Sequence, residues 1–264
     1  MNVITSPVGE RLREWRQRRR MSQLDLALEA EISTRHLSFV ETGRASPSRD
    51  MLLNLAETLE LPLRERNGLL LAAGFAPVFP QRPLDDPASG PVRAAMERVI
   101  AAHEPFPALA VDRHWNLVAA NGAVAPLVAG VAPELLTPQV NVLRLGLHPG
   151  GLASRTENFG EWRAHLLSRL RRQSVESGDR ALVELLSELE SYPGGEAPAE
   201  PTDPAALAIP FRLRHGGRVL SFISTTMVFG AAREVTLSEL AIETFLPADA
   251  ATAAALQALA ADAG

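Results

Sequence analysis

Residues 22–43, SQLDLALEAEISTRHLSFVETG, hold two short helix patterns separated by a turn of about three residues around AEI. So short a joint sets the angle between the helices and calls for a small residue where they touch, a place that suits Ala27. Ser22 is positioned to cap the first helix, with Asp25 three residues on as its capping-box partner. Leu24, Leu26, Ala27 and Ala30 supply that helix's apolar positions. Ser33 caps the second helix, which runs to about Thr42, where Gly43 provides a left-handed stop. Its apolar back is Leu37 and Val40 with Phe39; its front carries Ser33, Thr34, Arg35, His36 and Ser38.

A helix with a packed back and a polar front, held tightly by a first helix, is the arrangement of a helix-turn-helix, whose second helix lies in the DNA major groove. Short side chains at its start let the backbone approach the base edges, and Arg35 can reach a guanine with two hydrogen bonds. Gln23, at the start of the first helix, is placed for a phosphate or an adenine edge. Ser33 and Ser46 also read as simple N-caps. Arg16 and Arg18 to Arg20 read as complements to the negative end of an N-terminal helix over 8–20, whose inward residues are Leu12 and Trp15. Ser46-Pro47-Ser48 opens a fourth helix through Glu60, and Pro62 opens a fifth that ends near Gly74. Residues 1–75 are therefore expected to be an all-α domain of five helices.

APVFPQRPLDDPASGP, residues 76–91, is rich in proline and poor in periodic apolar positions, and reads as a linker. Residues 92–264 form the second expected domain. A helix at about 91–102 is followed by two short strands in PALAVDRHWNLVAANG, turning at Asp112-Arg113-His114 and closed by Asn121-Gly122. Residues 158–176 and 180–191 are amphipathic helices, the first inward at Trp162, Leu166, Leu167 and Leu170. SYPGGEAPAEPTDP, 191–204, is a loop. The apolar period then changes from 3.6 to 2: Ile209, Phe211 and Leu213 alternate with Pro210, Arg212 and Arg214. HGG turns into the long strand RVLSFISTTMVFG. TLSELAIETFLP is a third strand, with Glu239 and Glu243 outward and Leu240 and Ile242 inward. A closing helix over 249–262 completes an α+β domain with a five-stranded antiparallel sheet and its helices on one face.

Composition narrows the function. All 26 basic residues are arginine, and the net charge is −5. Residues 1–79 hold 11 arginines against 10 acids, whereas 80–264 hold 15 against 21, so DNA contact belongs to the N-terminal part. No cysteine is present, which excludes thiolate chemistry and sulfur-bound metals. No apolar run reaches a membrane span, and the first residues lack a signal-peptide core, so a cytoplasmic location is expected. Nucleophile-elbow, Walker, Rossmann and HExxH signatures are absent, the six histidines are scattered, and Glu184 and Glu188 read as a solvated helix face. No catalytic residue, metal or cofactor is assigned.

The apolar and small polar side chains directed at the sheet make a pocket the best reading of the second domain. The candidate ligand-binding residues are Trp115, Trp162, Leu166, Phe211, Phe222, Ser224, Thr226, Met227 and Phe229, the hydroxyls lying on both faces of the long strand.

Two resemblances add to this. SQLDLALEAEISTRHLSFVETGRASPS resembles the Xre/Cro/λ-repressor helix-turn-helix family, over about 8–75, with Gln23, Ala27, Ile32, Leu37, Val40, Glu41 and Gly43 in register. It implies operator binding, usually as a homodimer, with Gln23, Thr34, Arg35 and Ser38 facing DNA and Arg44, Ser46 and Arg49 near phosphates. Glu31 stands where that family usually has glycine, which leaves the turn conformation open. ALAVDRHWNLVAANGAV, NVLRLGLHP, FGEWRAHLLSRLRR and LSFISTTMVFGAAREVTLSELAIETFLPAD are together similar to the MmyB-like ligand-binding domain of Xre-type regulators. This implies a PAS-like fold and an apolar, fatty-acyl-like effector. The expected protein is a one-component transcription regulator of double-stranded operator DNA. The alternative is a regulator whose second domain is a dimerisation or partner module without a ligand.

Overall fold

The computed structural model describes residues 7–194 and 208–262; most of the loop expected at 191–204 therefore falls outside the described residues. The chain divides into two compact units, Met1–Pro83 with Ala231–Ser238, and Leu84–Gly230 with Glu239–Gly264.

The first unit carries α1 (Pro7–Arg18), α2 (Gln23–Glu29), α3 (Thr34–Glu41), α4 (Arg49–Thr58) and α5 (Leu63–Ala72) around a core that includes Leu12, Trp15, Leu26, Leu37, Val40 and Leu55. Ser22 and Asp25 form the full capping box, and Ser33 accepts from the His36 amide. Gly9 lets α1 lie directly on α3, since a Cβ there would sit 2.4 Å from the Val40 carbonyl oxygen. Glu31 adopts φ 55°, so the left-handed turn residue is kept without glycine. The strain this costs, roughly 1–3 kcal/mol, must be offset by the packing on either side.

Three local expectations are corrected. Leu24 is 55% exposed, because α2 buries only the stripe of Leu26, Ala27 and Ala30. The cap of α4 is Ser48, which accepts from the Met51 amide, and not Ser46. That helix ends at Thr58, and Glu60 turns with φ 49°.

The second unit contains α6 (Gly90–Ala101), β1 (Ala108–Val111), β2 (Leu117–Ala120), α7 (Val124–Leu127), α8 (Val142–Leu147), α9 (Phe159–Ser177), α10 (Arg180–Ser191), β3 (Phe211–His215) and β4 (Arg218–Val228). After α11 (Val235–Ser238) come β5 (Ala241–Pro247) and α12 (Ala250–Asp262). All strand pairs are antiparallel and the order is β2-β1-β5-β4-β3. The β3–β4 hairpin turns at Gly216 and Gly217, both at positive φ, as a two-residue turn requires. Asn121 closes the first hairpin from inside: its side-chain oxygen accepts from the Ala108 amide, and its nitrogen donates to the Phe106 carbonyl.

The expected strand TLSELAIETFLP is split. Its first residues form α11, and β5 starts only at Ala241. Glu243, expected outward, is 4% exposed, and Ile242 and Thr244, which share the opposite face, are 2% and 1% exposed. Both faces of β5 are covered, so alternation there cannot tell inside from outside.

The chain leaves the second unit after β4 and returns to it before β5. In between, Val235 is fully buried and its amide donates to the Pro80 carbonyl, while the Thr236 hydroxyl donates to the Arg82 carbonyl. The Asn67 side chain, itself buried, binds the Val78 and Phe79 amides and the Phe79 carbonyl. Residues 78–82 of the proline-rich segment are thus fastened within the first unit rather than left as a free hinge.

Candidate functional sites: a recognition helix and an apolar cavity

On the polar front of α3, Arg35 and His36 are exposed. Arg35 lies with its guanidinium 5.4 Å from the Phe39 ring centre, and Arg44, past the end of the helix, lies 6.0 Å from the same ring. One half-buried aromatic therefore gathers two exposed cations, one from the first turn of α3 and one from beyond its end, onto one surface. Thr34 and Ser38 are half-buried, Ser33 is spent on the cap, and Ser46 and Arg49 are exposed at the entry to α4.

The helix pair is locked from behind. Arg16 donates to both oxygens of Glu41 at 2.7 and 2.9 Å, and also to the Met21 carbonyl. The hydrogen bonds to Glu41 raise its pKa against the opposing effect of burial. Arg16 is thus a buried clamp between α1 and α3, not an exposed complement to the end of α1. Arg19 reaches the Leu59 and Glu60 carbonyls and so caps α4. Gln23 donates to Glu41 at 2.7 Å, which fixes its direction at the start of α2.

In the second unit a cavity of about 110 Å³ lies between α9 and the sheet. Six of the nine candidate ligand residues line it: Trp115, Trp162, Leu166, Phe211, Phe222 and Ser224. Trp162 stacks on Phe211 at 5.0 Å, and Phe211 on Phe222 at 5.9 Å. Thr226 shares that strand face but faces the Arg169–Glu243 pair, accepting from Arg169 at 2.8 Å. Met227 points to the opposite face, opposite Ile242, and Phe229 lies beyond the end of β4. The sequence left open which sheet face lines a pocket; it is the face of Phe222 and Ser224.

Sequence reading missed Arg169 and Glu243, the charged side chains of the lining. Arg169 donates to the two Glu243 oxygens at 3.0 and 2.6 Å, and its guanidinium stands 4.5 Å from the Trp115 ring centre. A usable signal existed for Arg169: Trp162, Leu166 and Arg169 follow the i, i+4, i+7 spacing of one helix face. His165, on the same helix, has its pKa pushed down by burial and by Arg169.

The carboxylate of Glu188, expected on a solvated face, accepts from Arg144 at 2.8 and 2.7 Å and from Tyr192 at 2.5 Å, tying α8 to α10. Burial and this bond push the Tyr192 hydroxyl up to about 12. Among the described residues no helix is long and apolar enough to cross a membrane.

Family models match two stretches of the chain. Residues 12–66 match the helix-turn-helix family, and residues 92–259 match the MmyB-like transcription regulator ligand binding domain. No curated protein matches the chain. The second match spans more than half of the chain and contains the whole cavity lining, so this protein belongs to the family of MmyB-like transcription regulators, with a DNA-binding helix-turn-helix and a ligand-binding domain.

Proposed function

We propose that the protein is a one-component, cytoplasmic regulator that places α3 in the major groove of an operator and senses a small apolar effector in the cavity beside α9. It acts by binding and not by catalysis. Arg35 reads a base pair, Arg44 and Arg49 hold phosphates, and two copies occupy an inverted repeat with half-sites about one helical turn apart. The sheet order β2-β1-β5-β4-β3 with helices over the Phe222 face supports a PAS-like reading of the sensor. The observation that carries the proposal is the cavity, lined almost wholly by apolar side chains. Effector binding is expected to change operator affinity by about 1–3 kcal/mol, or 5- to 150-fold, as is usual for coupled sites.

Binding-site selection with two variants tests the DNA half. Arg35→Ala should cost about 1–3 kcal/mol on the specific site and relax one base pair, whereas Arg44→Ala should weaken all sequences alike and lower the salt slope. Equal loss on specific and random DNA for Arg35→Ala would remove α3 from base reading. Denaturing extraction of the purified protein, followed by mass spectrometry, tests the sensor half. Val219 and Ile223, apolar and exposed on β4, favour a second reading in which this domain pairs with another protein. A monomer in light scattering would count against the dimer.

A further inference from the structure

The sequence places Phe39 on the apolar back of α3 with Leu37 and Val40. Those two are fully buried, whereas Phe39 is only half-buried. Among the described residues its ring takes no part in the apolar core of the first unit. A large aromatic held outside the core gains little of the burial that would make it a packing residue. Charge lies over the ring instead. The Arg35 guanidinium stands 5.4 Å and the Arg44 guanidinium 6.0 Å from its centre.

The local backbone builds this arrangement. Arg35 precedes Phe39 by four residues, the spacing at which side chains on one helix face meet. Arg44 is folded back by the stop of α3. Gly43 turns with φ 71°, and the Arg44 and Ala45 amides both donate to the Phe39 carbonyl, at 2.7 and 3.1 Å. Among the described residues neither guanidinium is held by a carboxylate, so both keep their charge free for DNA and the ring restrains them. Two like charges over one ring repel each other, and the negative ring face offsets only part of this. A phosphate or a guanine edge relieves that repulsion. An arginine already confined over a ring also loses less rotamer freedom when DNA fixes it.

We propose that Phe39 is a positioning residue of the DNA interface: its ring sets Arg35 and Arg44 on one surface before DNA arrives. Base reading by Arg35 and phosphate binding by Arg44 are thereby aligned together. This rests on the reading of α3 as the recognition helix and adds the residue that orients its two cations.

Fluorescence anisotropy on the full-length protein tests it, with the duplex recovered by binding-site selection, a random duplex, a salt series and parallel thermal melts. Phe39→Leu keeps apolar bulk and helix propensity but removes the ring. It should weaken operator binding about 3- to 30-fold, the range for two exposed cation–π contacts. Its melting temperature should stay within about 2 °C of the wild type, as the ring lies outside the core. The salt slope should also stay, because the same phosphates are met once DNA is bound, whereas Arg44→Ala lowers it. Phe39→Tyr keeps the ring and should bind within about twofold of the wild type. In a background of Arg35→Ala with Arg44→Ala, read at low salt, Phe39→Leu should have no further effect.

If Phe39→Leu binds as tightly as the wild type, or Phe39→Tyr as weakly as Phe39→Leu, the ring positions nothing. If Phe39→Leu and Phe39→Met both melt well below the wild type, the ring is structural and the proposal is overturned. If Phe39→Leu still weakens binding in the background without both arginines, the ring touches DNA itself, and positioning is again overturned. Each of these results leaves the recognition helix standing. Equal loss on selected and random DNA for Arg35→Ala removes that reading, and the proposal falls with it.

Discussion

The two units each bury an arginine–glutamate pair, and they use it differently. In the first unit Arg16 and Glu41 have side chains 10% and 1% exposed, with Gln23 as a third partner. In the second, Arg169 and Glu243 are 21% and 5% exposed and stand at the edge of a cavity. The first pair closes a packed helix joint, and removal of one partner leaves the other charge buried. The second pair is partly open and lines a cavity, so the same chemistry is left within reach of solvent. A third pair, Arg144 with Glu188, is 43% and 36% exposed and only pins two helices. The surroundings, more than the pair itself, decide what each one does.

The comparison can be broken by substitution. Glu41→Ala should have the largest effect, about 3–5 kcal/mol off the unfolding of the first unit, because it strands the Arg16 charge. Urea unfolding measures it, and operator binding should fall with it. Glu243→Ala should cost less, about 1–3 kcal/mol, because Arg169 keeps Thr226, Trp115 and access to solvent. If both variants lose the same amount in thermal melts, the cavity gives no relief and the contrast fails.

Glu188 sharpens the lower end of the series. Hydrogen bonds from Arg144 hold its carboxyl below the usual range, with Tyr192 adding to them against burial. Its contribution is present above the unfolded value of about 4.3 and is lost as pH falls through the lower folded value. Glu188→Gln should cost at most about 1 kcal/mol at neutral pH, since the pair is well solvated. It should also flatten the acid limb of stability below about pH 4, which a pH series of melts would show. An unchanged acid limb would mean that the pair is inert.

The smallest effect distinguishes two serines in one stretch. Ser48→Ala should cost about 1 kcal/mol through loss of the α4 cap. Ser46→Ala should stay within about 0.5 kcal/mol, since Ser46 is exposed and bonds no helix amide.

Much of the first unit was legible because its signals are local. The Ser22–Asp25 box, the Ser33 cap and the Leu37–Val40 back are set within one or two turns of helix. The five strands were legible too, where one face was buried and the other was not, as in Phe211 and Leu213. Legibility failed at β5, buried on both faces, and at Ser46, where two serines compete for one cap.

Local chemistry within the amino-acid sequence thus determined the helix joint, its polar front, the strand count and much of the apolar lining of the cavity. Tertiary structure alone decided that Arg16 turns inward to Glu41, which lies 25 residues away. It alone brought Arg169 to Glu243, 74 residues apart, beside an apolar cavity. It alone fastened Val235 to Pro80 within the first unit. The physical reason is the same in each case. A charge or an amide has no preferred partner along the chain, and only the packing that removes water selects one.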